Sequence, residues 1–260
     1  MSDLSADPFF KTKLTKRETS QGEVELPILY FDNSNVLAFF LCDSTRVQKM
    51  LKGTNLKPGL TIGNKTAVAI SFYEYRKTTV GIYNEVGVAI PVLQSDDQAP
   101  LSGITDLYRD TEKRKLGFYV LDLPVSTEVA NAAGREIWGY PKFVTDISFE
   151  LSEGCFHSKV MDPVSDQEIL SIDGCVGFGL NVPPMSAVTY SSLEGKALRT
   201  AINVRGKVKL SYPRGMALRV GKSQHVMAKN LRNLGLNGAH PIALMSTDKF
   251  QSRLNEGVAC

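Results

Sequence analysis

One lysine of this chain stands in a setting that could make it a nucleophile. Lys142 follows Trp138-Gly139-Tyr140-Pro141 and precedes Phe143. Proline fixes its own φ and biases the preceding residue toward extended backbone, so Lys142 leaves the turn in a constrained direction. An amine attacks a carbonyl only when neutral, and burial among apolar side chains destabilises the ammonium form. The segment makes Lys142 a candidate Schiff-base nucleophile, with Trp138, Tyr140 and Phe143 as candidate substrate contacts. The alternative interpretation is a solvated surface lysine.

A glutamate in an apolar stretch is the second candidate. Glu85 lies in the segment 82–92, Ile-Tyr-Asn-Glu-Val-Gly-Val-Ala-Ile-Pro-Val, which is typical of a buried strand. Burying an unpaired carboxylate is costly, so Glu85 needs either a charged partner or a catalytic role.

Together, the block Gly-Arg-Glu…Tyr-Pro-Lys at 134–142 and the block Glu-x-Gly-x-Ala-Ile-Pro-Val at 85–92 resemble the acetoacetate decarboxylase family. The resemblance extends from about Val24 to Pro241-Ile242. It implies a mainly β fold with few helices, an antiparallel β-barrel or sheet. It also implies that Lys142 forms a Schiff base with a ketone and that Glu85 shares its pocket.

Three positions depart from the family pattern. Phe143 stands where the decarboxylases have a second lysine, which raises the reactivity of the first by charge repulsion. Ser34 or Asn35 stands where they have an arginine. The family has a further carboxylate in the pocket, at a position that corresponds to about Ser71 in this chain, and Glu74 is only a loose substitute for it. The resemblance therefore supports Schiff-base chemistry more firmly than it supports a particular substrate.

The leading hypothesis is a lyase that decarboxylates a β-keto acid, acetoacetate to acetone and CO2, through an iminium on Lys142. Glu85 would position the substrate and transfer protons. One alternative keeps the iminium for aldol, dehydration or hydration chemistry on another keto acid, and another is a non-catalytic small-molecule-binding barrel. We expect no cofactor and no metal, a small keto acid as ligand, and a homo-oligomer.

The composition argues against several other classes of protein. The 260 residues carry 30 basic and 27 acidic side chains, a net charge of +3 that is spread along the chain. Clustered basic residues interleaved with aromatic ones, as nucleic-acid binding requires, are missing. No window approaches the ~18 apolar residues of a membrane span. The N-terminal sequence does not resemble a secretory signal, so we expect a cytoplasmic protein.

The chain reads as one domain, residues 23–260, preceded by a polar N-terminal arm, residues 1–22. Short runs rich in β-branched and aromatic residues predict strands at 67–75, 80–92, 116–121, 143–151, 156–160, 168–172 and 201–210. Serine caps and apolar stripes predict helices at 44–51 and 126–137. Alternation along 143–151 places Lys142 with Val144 on the more polar face, which could line the pocket of a wide barrel or face solvent.

Two further features have structural interpretations. Cys155 and Cys175 flank a predicted hairpin at Asp162-Pro163 and could lie close together as small core residues. The glycine-rich run 174–179 lacks the order of a phosphate-binding loop and predicts a strand end and a loop. Within the family block, Arg135 and Glu136 are expected to form an ion pair or helix-end contacts.

Overall fold

The structure, a computed structural model, describes residues 7–260 and is built mainly from β-strands. The four helices are α1 (Ser44–Met50), α2 (Gly103–Asp106), α3 (Glu128–Trp138) and α4 (Val226–Leu234). The strands are β1 (Thr15–Thr19), β2 (Gly22–Leu26), β3 (Ile28–Asp43), β4 (Leu56–Pro58), β5 (Thr61–Ile62), β6 (Lys65–Thr78), β7 (Tyr83–Gln94), β8 (Gly117–Val125), β9 (Lys142–Val144), β10 (Ile147–Ser152), β11 (Cys155–Met161), β12 (Glu168–Val182), β13 (Ala187–Leu193), β14 (Lys196–Gly206), β15 (Val208–Val220), β16 (Ala243–Leu254) and β17 (Val258–Ala259).

Seven strands close into a barrel. The ring runs β16-β3-β6-β7-β8-β13-β14, and β14 returns to pair with β16. The prediction of a mainly β, barrel-forming chain with few helices is confirmed. The barrel is mixed rather than purely antiparallel, because β8 runs parallel to β13, and the short β9 also joins β8 in parallel.

Alternation along the barrel strands separates a packed core from an interior cavity. On β6, Val68, Ile70 and Phe72 are fully buried in the main hydrophobic core, whereas the alternate residues Ala69, Ser71 and Tyr73 face the cavity. Strands β15, β12, β11 and β10 continue the sheet beyond β16 and contribute the other side of that core. This two-sided burial explains why the middle of β6, residues 67–73, and most of β7 are apolar.

Two predicted strands are each divided in the structure. The predicted strand 143–151 was wrong as a single element: β9 ends at Val144, and β10 begins at Ile147 beside β11. At the break, Thr145 N–H donates to Val125 O of β8 and its hydroxyl donates to Met161 O of β11. The predicted strand 201–210 is interrupted after Gly206, the last residue of β14, whose φ of +150° favours glycine.

The cysteine and glycine predictions also need correction. Cys155 and Cys175 are direct partners across β11 and β12 with Sγ atoms 3.2 Å apart, but both are exposed rather than in the core. The glycine-rich run 174–179 lies inside the continuous strand β12. Bulges there let β12 follow β15, so the run is not a strand end and a loop.

The described N-terminal segment is partly structured. Strands β1 and β2 form a separate antiparallel hairpin, and Ser20 at its turn donates to the Glu136 carboxylate on α3. Within residues 7–260, no helix is long and apolar enough to cross a membrane.

Candidate active site

Helix α3 and the turn after it fix the position of Lys142. The helix ends at Gly139 in the left-handed conformation, φ +64°, and Tyr140 N–H donates to Gly134 O. Gly139 N–H donates to Arg135 O, so the helix end is a left-handed glycine cap. Pro141 follows, and Lys142 opens β9 opposite Leu123 of β8. The Arg135 guanidinium donates to Lys142 O at 2.9 Å, so the helix also holds the strand that carries the lysine.

The Lys142 amine and the Glu85 carboxylate are in direct contact. Lys142 Nζ donates to Glu85 Oε2 at 2.7 Å, and the two residues are only 6% and 7% exposed. Glu85 lies on β7, the strand between β6 and β8. A buried pair of opposite charges at hydrogen-bond distance can exchange a proton, as Schiff-base formation requires.

Three buried tyrosines surround this pair. Tyr75 OH donates to Glu85 Oε1 at 3.3 Å, Tyr83 OH donates to Tyr30 OH, and the Lys142 amine lies 5.8 Å from the Tyr83 ring centroid. Burial, with a further contribution from the negative charge of Glu85, holds the pKa values of Tyr30, Tyr75 and Tyr83 well above the usual range. These phenols therefore stay protonated and serve as neutral hydrogen-bond donors.

The pair opens into a cavity of about 160 Å³ inside the barrel. An apolar protein cavity of about 150 Å³ is large enough to hold benzene, so this one accommodates a small organic molecule. Its wall is largely apolar, with contributions from Leu37, Phe118, Val120, Leu123, Met185 and Ile202. Since Lys142 and Val144 share one side of β9, the side predicted to be more polar faces the barrel interior and not solvent.

Of the three predicted substrate contacts, only Tyr140 lines the cavity, where its hydroxyl lies 2.6 Å from Thr189 Oγ1. Phe143 points the opposite way, because alternate residues of a strand face opposite sides, and it packs on His225. Trp138 is fully buried behind Tyr140, stacked on its ring, and its Nε1 donates to Asn255 O. Phe143 and Trp138 therefore do not line this cavity.

The departures from the family pattern come together in space. Asn35 and Ser71 both line the cavity, and Asn35 Nδ2 donates to Ser71 Oγ at 2.8 Å. Glu74 does not line the cavity. Its carboxylate contacts Arg76 and Ser34 on the other side of β6. The positions expected to hold an arginine and a carboxylate thus hold a neutral, mutually hydrogen-bonded pair.

Sequence reasoning did not identify Tyr73, Tyr75 and Tyr83 as residues of the site, nor the role of Gly134. Tyr73 and Tyr75 are two residues apart on β6, and Tyr83 and Glu85 are two residues apart on β7, so period-two spacing was a usable signal. Gly134, inside a helix, is the position that the Lys142 stem crosses. Within residues 7–260, no three His, Cys, Asp or Glu side chains are grouped so that they could hold a metal ion.

A family model described as acetoacetate decarboxylase (ADC) matches residues 15–179, more than half of the chain. The chain belongs to the acetoacetate decarboxylase family. Both sequence blocks that carried the resemblance lie inside the matched region, and so do Lys142 and Glu85. A search of curated protein sequences found no match.

Solved structures with the acetoacetate decarboxylase fold resemble the chain over most of its length. Acetoacetate decarboxylase from Legionella pneumophila subsp. pneumophila str. Philadelphia 1 has a TM-score of 0.65 at 14% identity, covering 90% of this chain and 87% of that one. The enduracididine biosynthesis enzyme MppR, complexed with pyruvate, has a TM-score of 0.63 at 12% identity, covering 90% of each chain. An acetoacetate decarboxylase-like enzyme from Sphingomonas wittichii RW1 has a TM-score of 0.62 at 12% identity, covering 91% and 94%. At these identities the likenesses establish the fold.

Proposed function

We propose that this chain is a Schiff-base-forming carbon–carbon lyase acting on a small keto acid, with Lys142 as the nucleophile and Glu85 as the proton-transfer group. The observation that carries the proposal is the 2.7 Å contact between the Lys142 amine and the Glu85 carboxylate at the edge of a largely apolar cavity. A buried lysine whose amine faces an interior cavity is accessible to a small carbonyl compound and shielded from bulk water.

Glu85 takes a proton from the ammonium group, and the neutral amine attacks the carbonyl carbon. The resulting carbinolamine loses its hydroxyl as water, for which Glu85 returns the proton, and an iminium is left on Lys142. Tyr75 donates to the second carboxylate oxygen, which fixes the orientation of Glu85 during both transfers. Each step uses groups that are already in contact.

Decarboxylation of a β-keto acid is the reaction that we propose first. The bond between the α-carbon and the carboxylate breaks, its electron pair forms the enamine double bond, and CO2 leaves. The enamine is then protonated on carbon, and water releases the ketone from the lysine. An apolar cavity favours this step, because the carboxylate charge that the cavity solvates poorly disappears as CO2 forms.

Aldol, dehydration or hydration chemistry on another keto acid is the second candidate. Asn35 and Ser71 form a neutral pair in the cavity, and the side chain of Phe143 points away from it. Among the cavity-lining residues of the described chain, Lys142 is therefore the only cation, and no second one is present to bind the substrate carboxylate. This absence favours the second candidate. MppR has been crystallised with the condensation product of pyruvate and imidazole 4-carboxaldehyde. Both candidates use the same iminium and differ in which bond breaks next.

One experiment separates the candidates. The protein is incubated with acetoacetate or pyruvate, borohydride is added, and the intact mass is measured, while CO2 release is followed without borohydride. A trapped adduct with CO2 release from acetoacetate supports decarboxylation, and a trapped adduct without CO2 release supports the second candidate. Absence of any adduct at saturating keto acid would contradict the proposed function and favour a non-catalytic binding barrel.

A further inference from the structure

Two cysteines of the chain face each other across neighbouring strands. Cys155 begins β11 and Cys175 lies on β12, and they are direct partners in the antiparallel register, with their Sγ atoms 3.2 Å apart. Both are exposed, as is Cys260, whereas Cys42 is buried. Neither member of the pair lines the cavity that holds Lys142, so the pair is separate from the site described above.

The backbone brings the two side chains as close together as neighbouring strands allow. Val176 N–H donates to Gly154 O at 2.7 Å, so Cys155 and Cys175 form a non-hydrogen-bonded pair of the ladder. In such a pair the Cα atoms are ~4.5 Å apart, which is within the ~4.4–6.8 Å that a disulfide spans. Small rotations of the side chains bring sulfurs that are 3.2 Å apart to the ~2.05 Å of a disulfide bond.

Both thiols lie on the solvent-facing side of the sheet. Phe156, the next residue along β11, points the opposite way into the main core and is 1% exposed. The next cross-strand pair on the cysteine side is His157 and Asp173, whose side chains are 42% and 39% exposed, and Arg219 of β15 donates to Asp173 at 3.0 Å. A small polar oxidant or a thiol reductant therefore reaches the sulfurs without entering the core.

The pair joins the edge of the sheet to its interior. Strand β10 is the outermost strand of the sheet and pairs with β11, and β11 in turn pairs with β12. The β10-β11 hairpin is thus hydrogen-bonded to the rest of the sheet through the ladder that contains Cys155 and Cys175. A covalent bond between these residues would hold the hairpin to β12 at the end next to its turn.

We propose that Cys155 and Cys175 are a redox-active dithiol, which a peroxide converts to a disulfide that fastens the β10-β11 hairpin to β12. The first thiolate attacks a peroxide oxygen, and the O–O bond breaks. A sulfenic acid remains on that sulfur, and the hydroxide that leaves takes up the proton released by the thiol. The second thiol then attacks the sulfenic sulfur, the S–S bond forms, and the S–O bond breaks with loss of water.

In sum, the two sulfurs lose two electrons and two protons, and one peroxide becomes two molecules of water. Because the resulting disulfide is exposed, glutathione reduces it by thiol–disulfide exchange. The proposal does not depend on the chemistry of Lys142.

Intact mass and peptide mapping test the proposal. The reduced, folded protein is treated with a slight excess of hydrogen peroxide, quenched, denatured and alkylated with iodoacetamide. We expect alkylation at two cysteines instead of all four, a mass about 2 Da lower before alkylation, and a peptide in which Cys155 is joined to Cys175. Incubation of the folded, oxidised protein with glutathione should restore alkylation at both residues.

Variants separate the pair from the other exposed thiol. Cys155→Ser and Cys175→Ser should each lack the mass loss, and Cys260→Ser, the matched control, should keep it. Oxidation of the wild type should raise the midpoint of thermal unfolding by about 5 °C, because a loop of about 20 residues is closed. It should also slow amide hydrogen exchange in β10 and β11. Peroxide should produce neither change in Cys155→Ser.

Four outcomes would overturn the proposal. They are a wild-type protein that keeps four alkylatable cysteines after peroxide, a disulfide that includes Cys42 or Cys260, a Cys155-Cys175 disulfide that glutathione does not reduce in the folded protein, and oxidation that leaves both thermal unfolding and hydrogen exchange unchanged. Borohydride trapping of a keto acid is measured separately, so failure of the redox proposal and failure of the proposed function are distinguishable.

Discussion

The side chain of Lys142 crosses helix α3 directly over Gly134. A Cβ atom placed on Gly134 would lie 2.4 Å from both Cδ and Cε of Lys142, closer than any real contact. The stem of the lysine therefore reaches Glu85 only because this helical position has no side chain. Gly134 lies eight residues before Lys142 in the same sequence block. The close approach of the lysine side chain explains why this block has a glycine at that position.

We expect Gly134→Ala to keep the fold and lose most of the reactivity of Lys142. Alanine improves helix propensity by about 1 kcal/mol, which offsets part of the steric cost, while the new methyl group displaces the amine from Glu85. Trapping by borohydride at limiting keto acid should fall at least about tenfold, a loss typical of a misplaced reacting group. Glu128→Ala on the exposed side of the same helix is the control. Unchanged trapping in a folded Gly134→Ala protein would contradict this steric role.

Glu85→Gln should leave the cavity shape nearly unchanged and remove the proton-transfer group. Loss of a general acid–base typically costs 10²–10⁴-fold in turnover, and we expect an effect in that range. The glutamine amide keeps one acceptor oxygen, which can still accept from Lys142, while its NH2 group faces the Tyr75 hydroxyl. The amine therefore stays in place and slow trapping should persist. Turnover is measured as CO2 release or keto-acid consumption, and thermal unfolding checks the fold, because the variant leaves a buried amine without its counter-ion.

Glu74→Gln is the matched control for that change. Glu74 is on the adjacent strand β6, but its carboxylate contacts Arg76 rather than the cavity. The turnover of the Glu74→Gln protein should stay within about threefold of that of the wild type. A comparable loss in both variants would indicate a general effect of lost charge and would remove the specific role assigned to Glu85.

Asp122 makes stability depend on pH. It is 3% exposed on β8, accepts from Asn230 Nδ2 of α4 at 3.1 and 3.2 Å, and burial raises its pKa to about 7. An unfolded aspartate titrates near ~3.9. Because the folded state keeps the proton up to a higher pH, stability falls as pH rises from about 4 to 7, and the full cost remains above pH 7.

Asp122→Asn should therefore stabilise the protein at pH 8, by up to about 4 kcal/mol, and by less at pH 5. Urea unfolding at both pH values measures the difference in free energy of unfolding. Asp96→Asn, an exposed position, serves as the control and should show no such pH dependence. If the free energies of unfolding of Asp122→Asn and the wild type differed by the same amount at pH 5 and pH 8, the raised pKa of Asp122 would be contradicted.

Sequence patterns predicted the strands with dense runs of β-branched and aromatic residues and missed β3, whose run is interrupted by polar residues. The runs that became β6, β7 and β8 are dense in β-branched and aromatic residues and were found. Strand β3 was missed because Asp32-Asn33-Ser34-Asn35 interrupts its apolar pattern. Asn33, Ser34 and Asn35 are nonetheless buried, since a barrel with an interior cavity can bury polar residues that a packed core would exclude.

For the site, the two sequence blocks were sufficient to select Lys142 and Glu85, which are 57 positions apart and in direct contact. They could not identify the residues that surround the pair. Tyr30 comes from β3, a strand that was not predicted, and it approaches Tyr83 because β3 and β7 flank the same strand, β6. Adjacency to Lys142 in sequence favoured Phe143 and Trp138, whereas strand alternation and the helix end turn those side chains away from the cavity.

The most direct test of the central claim is site-mapped trapping at Lys142. Wild-type, Lys142→Ala and Lys207→Ala proteins are reduced with borohydride in the presence of acetoacetate or pyruvate, and the modified peptide is identified by tandem mass spectrometry. Lys207 is exposed and is the control lysine. We predict one adduct, on Lys142, that persists in Lys207→Ala and disappears in a folded Lys142→Ala protein. An adduct of equal yield in Lys142→Ala, or one mapped to another lysine, would contradict the account.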